Sequence, residues 1–138
     1  PVRTPLRTLV IDGNSVNQQL WVPMPQRLGS KPLAVADERE ALAVIKQVPF
    51  AVILIDFDVA PADGVDLARE IRTRSGPGDR PWIIAASHVA DSDAYDQAMA
   101  AGMNDFMIKS GHFENLARAM RFAERALQAP VVRGQHAA

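Results

Sequence analysis

Residues 51–56 of the 138-residue chain read AVILID, an apolar run of strand-forming residues that ends in a carboxylate, Asp56. Almost uninterrupted apolar runs are expected for strands that are buried on both faces of a parallel sheet. Two more stretches share this pattern, residues 8–12 (TLVID) and residues 82–87 (WIIAAS). The three stretches therefore predict buried parallel strands, each with a polar residue at its carboxyl end.

Amphipathic stretches separate these apolar runs along the whole chain. Shorter strands are predicted at residues 33–36 (LAVA) and 105–109 (DFMIK), which brings the number of strands to five. Alternation of strands and helices favours a mostly parallel sheet that is covered by helices on both faces. The sequence thus predicts the α/β fold class.

Capping signals predict where two of the helices begin and end. Asp37, with Glu40 three residues later, forms a capping box that opens a helix through about residue 48. Asp91 is expected to cap a helix that ends at Ala101, because Gly102 can adopt the left-handed conformation that commonly stops a helix.

Three more helical stretches follow from apolar periodicity. One is predicted over residues 65–73, after Asp63 and Gly64, and another over residues 113–128. Residues 16–28 have the length of a helix but contain two prolines, so a kinked or broken helix is expected there. On the last helix, one apolar stripe consists of Leu116, Met120, Ala123 and Leu127. Three arginines lie away from this stripe and form either a solvated face or a partner surface: Arg118, Arg121, Arg125.

Composition and charge narrow the class of protein. With 48% hydrophobic and 22% charged residues the chain resembles an average soluble globular domain, which disfavours disordered and fibrous classes. We predict one folded domain over residues 1–128 and a flexible tail or linker over residues 129–138. The formal net charge of -1 supplies no field for nucleic acid or an anionic membrane surface. The absence of cysteine excludes disulfides, thiolate metal sites and cysteine nucleophiles.

Polar residues close four of the predicted strands. Asp12 ends the first strand, Asp56 the third, Ser87 the fourth and Lys109 the fifth. In a doubly wound sheet, functional groups gather at the carboxyl ends of the strands. Two carboxylates, a hydroxyl and an ammonium at one sheet edge would suit Mg²⁺ and a phosphoryl group.

In these residues the sequence resembles the receiver domains of two-component response regulators and hybrid histidine kinases. The resemblance covers nearly the whole chain. It is carried by TLVIDGNSVNQQL, ILIDFDVAPADGVDLAREIR and IIAASHVADSDAYDQAMAAGMNDFMIKS, whose order and spacing are more specific than any one match. It implies a flavodoxin-like, doubly wound fold with a five-stranded parallel sheet in the order 2-1-3-4-5 and helices on both faces.

The resemblance also implies a phosphoryl-transfer role for the strand ends. Asp56 would be the phosphoacceptor that takes a phosphoryl group from phosphohistidine. Lys109 would pair with the phosphoryl oxygens, and the Ser87 hydroxyl would move in to hydrogen-bond them. Phe106 would be the switch residue that turns inward with Ser87 and couples the site to the surface of helix 4 and strand 5.

A Mg²⁺ ion is the cofactor that the resemblance implies. Its protein ligands would be Asp12, Asp56 and the backbone carbonyl of Asp58. Gly13 stands where receivers carry a second acidic residue, which normally supplies the principal metal carboxylate, so weakened Mg²⁺ binding is expected. The Asp58 carboxylate could compensate for this loss, or it could repel the incoming phosphoryl group, and both alternatives are open.

Two further departures concern access to the site. His88, which follows Ser87, occupies a place that is usually held by a small residue, so we expect it to modulate access together with Asp58. Ser110 replaces the proline that normally follows the lysine at a cis peptide bond. Because a cis bond before serine costs about 2.5–4 kcal/mol, Lys109 could be placed differently from the usual receiver lysine.

The partners implied are a histidine kinase or a histidine phosphotransfer domain, and an output partner that contacts helix 4, strand 5 and helix 5. No nucleic acid or membrane contact is expected of this segment. The chain would not be an enzyme beyond its own phosphorylation and dephosphorylation, although its parent could be a histidine kinase. The start at Pro1 indicates a processed product or a segment of a longer protein. We expect this domain in the cytoplasm, although the parent protein could be anchored in a membrane.

Two other classes of function are alternatives to the phosphoacceptor. A degenerate receiver that binds partners without phosphorylation is favoured by Gly13, His88 and Ser110. A small flavodoxin-like or phosphatase-like enzyme is disfavoured, because the sequence has neither a phosphate-cradling glycine loop nor an independent acid–base pair. The three histidines show no metal-ligand spacing: His88, His112, His136.

Overall fold

The computed structural model describes residues 7–14, 18–19, 22–27, 29–58, 61–74, 80–88, 91–109 and 113–128. The described residues form five strands, β1 to β5, and five helices, α1 to α5. The strands are Arg7–Ile11, Lys31–Val35, Val52–Asp56, Trp82–Ser87 and Asp105–Ile108. The helices are Pro23–Arg27, Glu38–Gln47, Pro61–Arg74, Ser92–Ala100 and Phe113–Gln128.

All five strands pair in parallel, in the order β2-β1-β3-β4-β5. The predicted flavodoxin-like topology and the strand order 2-1-3-4-5 are therefore confirmed. In the register of the sheet, Ile11 pairs with Ile55, and Asp56 pairs with Ala86. The carboxyl ends of the three central strands consequently lie at the same sheet edge.

The core lies on both faces of the sheet, because successive strand residues point to opposite sides. On one face the strands pack with α2, α3 and α4, in a cluster that includes Ile53, Ile83 and Leu67. On the other face they pack with α5, in a cluster that includes Leu54 and Ile84. Each fully buried aliphatic side chain contributes about 1.5–3 kcal/mol relative to an exposed one. Burial on two sides explains the unbroken apolar sequence of β1, β3 and β4.

Capping signals placed α2 and α4 correctly. Oδ1 of Asp37 accepts a hydrogen bond of 2.9 Å from the backbone N–H of Glu40, as predicted. The Glu40 carboxylate reaches back to the N–H of Ala36 rather than to that of the cap residue. Asp91 caps α4 by accepting from the backbone N–H of Asp93, two residues later, and Gly102 follows the helix with a φ of 97°.

The predicted start of α3 was wrong. The helix begins at Pro61, four residues before the expected start, because proline lacks the N–H that the first turn leaves unpaired. Asp63 and Gly64 therefore lie inside the helix. A Cβ at Gly64 would lie 3.0 Å from a ring carbon of Phe57, so glycine permits close packing of α3 on the residue that follows β3.

The interruption predicted within residues 16–28 agrees with the described part of that segment. Gln18 and Gln19 are helical, the backbone bends at Val22, and α1 then forms a separate short helix that begins at Pro23. On α5 the predicted bounds are confirmed, and three residues of the apolar stripe are buried. Leu127 is the exception, since it is exposed near the end of the helix.

Within the described ranges, no helix combines the length and apolar character needed to cross a lipid bilayer. The tail predicted over residues 129–138 lies outside the described residues.

Candidate functional site

The strand ends bring four predicted site residues together. Backbone hydrogen bonds continue the sheet beyond the strands, from Asp12 N to the carbonyl of Val35 and from Lys109 N to the carbonyl of Ser87. The donor–acceptor distances are 3.0 and 2.6 Å. These bonds hold Asp12 and Lys109 at the same sheet edge as Asp56 and Ser87, which end β3 and β4.

Lys109 is the centre of the site. Its Nζ lies 2.5 Å from Oδ1 of Asp56, 3.6 Å from Oδ2 of Asp12 and 3.3 Å from Oδ2 of Asp58. Burial by itself lowers the pKa of the ammonium, but the hydrogen bond to Asp56 and the three negative charges outweigh it and raise the pKa of Lys109. The lysine therefore stays positively charged within a group of three carboxylates.

The two carboxylate oxygens of Asp56 differ in their contacts with the described residues. Its Oδ1 accepts from Lys109 Nζ and, at 3.0 Å, from the backbone N–H of Asp58. Among the residues that the structure describes, none donates to Oδ2 of Asp56. The side chain is 6% exposed, and Oδ1 is the oxygen that the ammonium of Lys109 and the backbone N–H of Asp58 hold in place.

The Asp58 carboxylate is engaged at both oxygens. Oδ1 accepts from the Ser87 hydroxyl at 2.7 Å and from the backbone N–H of His88 at 2.9 Å. Nδ1 of His88 lies 2.6 Å from Oδ2, so the imidazole donates from this nitrogen, because a carboxylate only accepts. With Lys109 also facing Oδ2, donors surround both oxygens.

These donors make Asp58 an unusually strong acid. Partial burial raises its pKa, but the hydrogen bonds from Ser87 and His88, together with the charge of Lys109, lower the pKa of Asp58 to about 2. The carboxylate is therefore fully ionised at neutral pH. Its two oxygens face the Ser87 hydroxyl, two nitrogens of His88 and the ammonium of Lys109.

The donor set also fits a magnesium ion. Asp12 and Asp56 both lie within 3.6 Å of the Lys109 nitrogen, so their carboxylates converge on one small region. Three carboxylates against one lysine leave an excess of negative charge, and Mg²⁺ is commonly bound by one or two carboxylates with water completing its shell. Within the described ranges, no three acidic or histidine side chains are arranged to hold a metal ion by themselves, so the backbone carbonyl of Asp58 and water would have to complete the ligand set.

Aromatic rings connect this site to the surface of α4. The half-buried Phe106 of β5 makes an edge contact with Phe57, which directly follows Asp56, at a centroid distance of 6.3 Å. On its other side Phe106 contacts the exposed Tyr95 of α4 at 6.0 Å. Phe106, the predicted switch residue, therefore lies between a buried ring next to Asp56 and an exposed ring on helix α4.

Sequence reasoning identified Asp58, Ser87 and His88 separately but not their mutual hydrogen bonds. It also missed Phe57 and Tyr95. The position of Phe57 directly after a strand-end aspartate was a usable signal, but nothing in the local sequence pairs Tyr95 with β5. Ser110 and His112 lie outside the described residues, so the expectation for the bond that follows Lys109 stays a prediction.

Comparison with known proteins identifies the family of the chain. Residues 8–121 match the family described as the response regulator receiver domain.

The chain belongs to this receiver domain family.

Solved structures agree with this assignment. The receiver superposes on the chemotaxis response regulator CheY4 of Vibrio cholerae with a TM-score of 0.78 and 22% identity, covering 87% of this chain and 99% of that one. It also superposes on the receiver domain of a sensor histidine kinase from Pseudomonas aeruginosa PAO1, with a TM-score of 0.74 and 28% identity, covering 91% and 100% of the two chains. That second structure was determined with a magnesium ion coordinated in its active site cleft.

Sequence relatives of the receiver include sensor and hybrid signalling proteins. It is 36% identical over 67 residues to sensor protein TorS of Escherichia coli, covering 48% of this chain and 7% of TorS. It is 31% identical over 108 residues to virulence sensor protein BvgS of Bordetella pertussis, covering 75% and 9%. It is 26% identical over 112 residues to hybrid signal transduction protein dokA of Dictyostelium discoideum, covering 81% and 6%. The chain thus spans less than a tenth of the length of these relatives.

Proposed function

We propose that this receiver accepts a phosphoryl group on Asp56 from a phosphohistidine of a two-component phosphorelay. The observation that supports the proposal most directly is the state of the Asp56 carboxylate. Lys109 holds one oxygen at 2.5 Å, and the described residues donate no hydrogen bond to the other. An oriented carboxylate beside a buried cation is what in-line phosphoryl transfer requires of a protein.

The transfer forms one bond and breaks one bond. Oδ2 of Asp56 attacks the phosphorus, the phosphorus–nitrogen bond of phosphohistidine breaks, and the imidazole nitrogen keeps the electron pair and takes up a proton from water. The product is an acyl phosphate on Asp56. The ammonium of Lys109 stays next to Asp56 during the transfer and neutralises negative charge on the phosphoryl oxygens.

Asp12, Asp56 and the backbone carbonyl of Asp58 would hold Mg²⁺. When bound, this ion would neutralise the charge that develops on the phosphoryl oxygens. Because Gly13 contributes no carboxylate, the affinity for Mg²⁺ is proposed to be lower than in a receiver with an acidic pair at that position.

The signal would leave the site through packing rather than through a released product. When Ser87 hydrogen-bonds a phosphoryl oxygen, its neighbours on β4 and β5 adjust, and Phe106 is the ring through which that adjustment reaches Tyr95 on α4. We propose that an output partner contacts α4, β5 and α5. The domain would act in the cytoplasm as a signalling module and not as an enzyme on other substrates.

The proposal is tested by the intact mass of the protein after incubation with acetyl phosphate and Mg²⁺. The parent should gain the mass of one phosphoryl group, and the Asp56→Asn variant should gain none. Asp96→Asn, an exposed change on α4, serves as the matched control and should label like the parent. No mass gain on the parent, under conditions that label another receiver, would contradict the proposal.

A second candidate function is phosphorylation-independent binding of a partner. The observation in its favour is that the Asp58 carboxylate of the chain itself accepts hydrogen bonds from the Ser87 hydroxyl and the backbone N–H of His88. If this candidate is correct, Asp56→Asn will bind a histidine kinase or phosphotransfer partner as tightly as the parent does, and acetyl phosphate will not change that affinity.

A further inference from the structure

The Asp58 carboxylate lies among the groups that the proposed function assigns to the phosphoryl oxygens. The Ser87 hydroxyl donates to its Oδ1, and Lys109 faces its Oδ2. The backbone N–H of His88 also donates to Oδ1, so one oxygen receives two converging donors. Two donors that converge on one anionic oxygen form the same kind of site that stabilises a phosphoryl or other oxyanion.

His88 holds the carboxylate in this position from two sides. Its backbone N–H bonds Oδ1, while its ring nitrogen Nδ1 bonds Oδ2 at 2.6 Å. The imidazole itself is 62% exposed, so the protein core does not require it at this place. The ring is therefore a positioning group for Asp58, and it contacts neither Asp56 nor Lys109 among the described contacts.

From this geometry we infer that the Asp58 carboxylate is an internal competitor for the phosphoryl-binding groups, which an incoming phosphoryl group must displace from Ser87 and His88. The inference rests on the proposed function, because it concerns the same site. Displacement costs the hydrogen bonds that Asp58 makes, and it brings two anions close together. The competitor lowers the affinity of the site for a phosphoryl group without contacting the nucleophile oxygen of Asp56.

The competition bears on the two roles that the sequence left open for Asp58, a ligand that compensates for Gly13 or a charge that repels the phosphoryl group. Its carboxylate does not add a ligand for Mg²⁺ while it is bonded to Ser87 and His88. The carboxylate opposes the phosphoryl group in two ways. Its negative charge repels the group, and its oxygens occupy the donors of Ser87 and His88 that would otherwise bind it.

Beryllium trifluoride is a suitable probe, because it forms a tetrahedral phosphoryl-like adduct with a carboxylate oxygen. It would be titrated into the full chain at a fixed millimolar concentration of Mg²⁺ and followed by the ¹H–¹⁵N resonances of Ser87 and His88. Asp58→Asn should lower the apparent dissociation constant on the order of tenfold, since the loss of one charge-assisted hydrogen bond from the competing state changes an equilibrium by about that factor.

Two variants separate competition from a general effect of charge. His88→Ala removes the ring contact and keeps the backbone donor, so its dissociation constant should fall by about threefold, less than in Asp58→Asn. Asp96→Asn removes one exposed negative charge on α4, away from the donors of Asp58, and should bind the probe like the parent. Circular dichroism of each variant shows whether it is folded.

The outcomes distinguish this inference from the proposed function. If parent and Asp58→Asn bind the probe equally well, the inference is wrong and the phosphoacceptor role stands. If only Asp58→Asn binds, the inference is supported and the parent is a blocked receiver. If neither binds, both proposals fail. Before any probe is added, the His88 amide resonance must also move in Asp58→Asn, since an unchanged resonance would show that the contact is absent in solution.

Discussion

The hydroxyl of Ser87, at the end of β4, donates a hydrogen bond of 2.7 Å to Oδ1 of Asp58, two residues beyond the end of β3. The two residues are 29 positions apart in the sequence. This bond connects the carboxyl end of β4 to the segment that follows β3. Under the proposal that Asp58 competes with a phosphoryl group, the preference of Ser87 for one of these two anions would set how readily the receiver responds.

The stability of the fold should depend on the ionisation of Asp58 in strong acid. Because its pKa is lowered to about 2 in the folded chain, from a usual value of 3.8, ionised Asp58 stabilises the folded state above about pH 4. This contribution is lost as the pH falls through about 2. Urea denaturation of the parent and of Asp58→Asn between pH 6 and pH 2 should show the parent more stable at the higher pH. The difference should shrink towards pH 2, and a constant difference would contradict the prediction.

Removal of the buried lysine should destabilise the protein. Lys109→Met leaves Asp12 and Asp56 buried without their cation, and the loss of one partner from a buried ion pair costs about 3 kcal/mol of unfolding free energy. Urea denaturation measures this loss. Millimolar Mg²⁺ should restore part of it, because the ion supplies the missing positive charge.

Lys46→Met is the matched control for the lysine prediction. Lys46 is exposed in the last turn of α2, so its replacement should change the unfolding free energy by less than about 0.5 kcal/mol. Equal effects of the two substitutions would mean that the ion pairs of Lys109 contribute little to folding.

Restoration of an acidic pair should strengthen magnesium binding. A Cβ at Gly13 would lie 3.4 Å from the carbonyl oxygen of Ala36, and Gly13 does not have a positive φ, so the backbone accepts a side chain there. Gly13→Asp should lower the dissociation constant for Mg²⁺ on the order of tenfold, as measured by isothermal titration calorimetry. Gly13→Asn is the neutral control, and equal affinities in the two variants would show that charge at this position is irrelevant.

The guanidinium of Arg72 should stabilise the folded state by connecting α3 to the residues that precede β4 and β5. It donates to the carbonyls of Gly102 and Pro81 at 2.7 and 2.8 Å and to Oδ1 of Asn104 at 2.6 Å. Arg72→Met would remove all three hydrogen bonds, although Oδ1 of Asn104 keeps the one from the backbone N–H of Ile83, and should lower the unfolding free energy by about 2–4 kcal/mol in urea denaturation. Arg69→Met, an exposed change on the same helix, should have an effect below about 0.5 kcal/mol. A similar loss in both variants would indicate a helix effect instead.

Most of the fold could be predicted from the chain itself, because the signals for it are local. A strand buried on two faces needs consecutive apolar residues, and a helix start needs a capping side chain such as Asp37 or Asp91. The start of α3 was misplaced, since Asp63 and Gly64 look like a local start signal. Only packing against Phe57 shows why a glycine lies inside that helix.

By itself, the sequence determined which residues lie at the active edge of the sheet. Asp12, Asp56, Ser87 and Lys109 end parallel strands, and parallel strands end at one edge. The tertiary structure alone decided which partners these residues take. Ser87 and Asp58 are 29 residues apart in the sequence, and Lys109 and Asp56 are 53 residues apart. The contacts between them therefore depend on how closely the tertiary structure brings the strand ends together. Several acceptors compete there for a few donors, and the outcome depends on their positions in space rather than on any periodicity of the sequence.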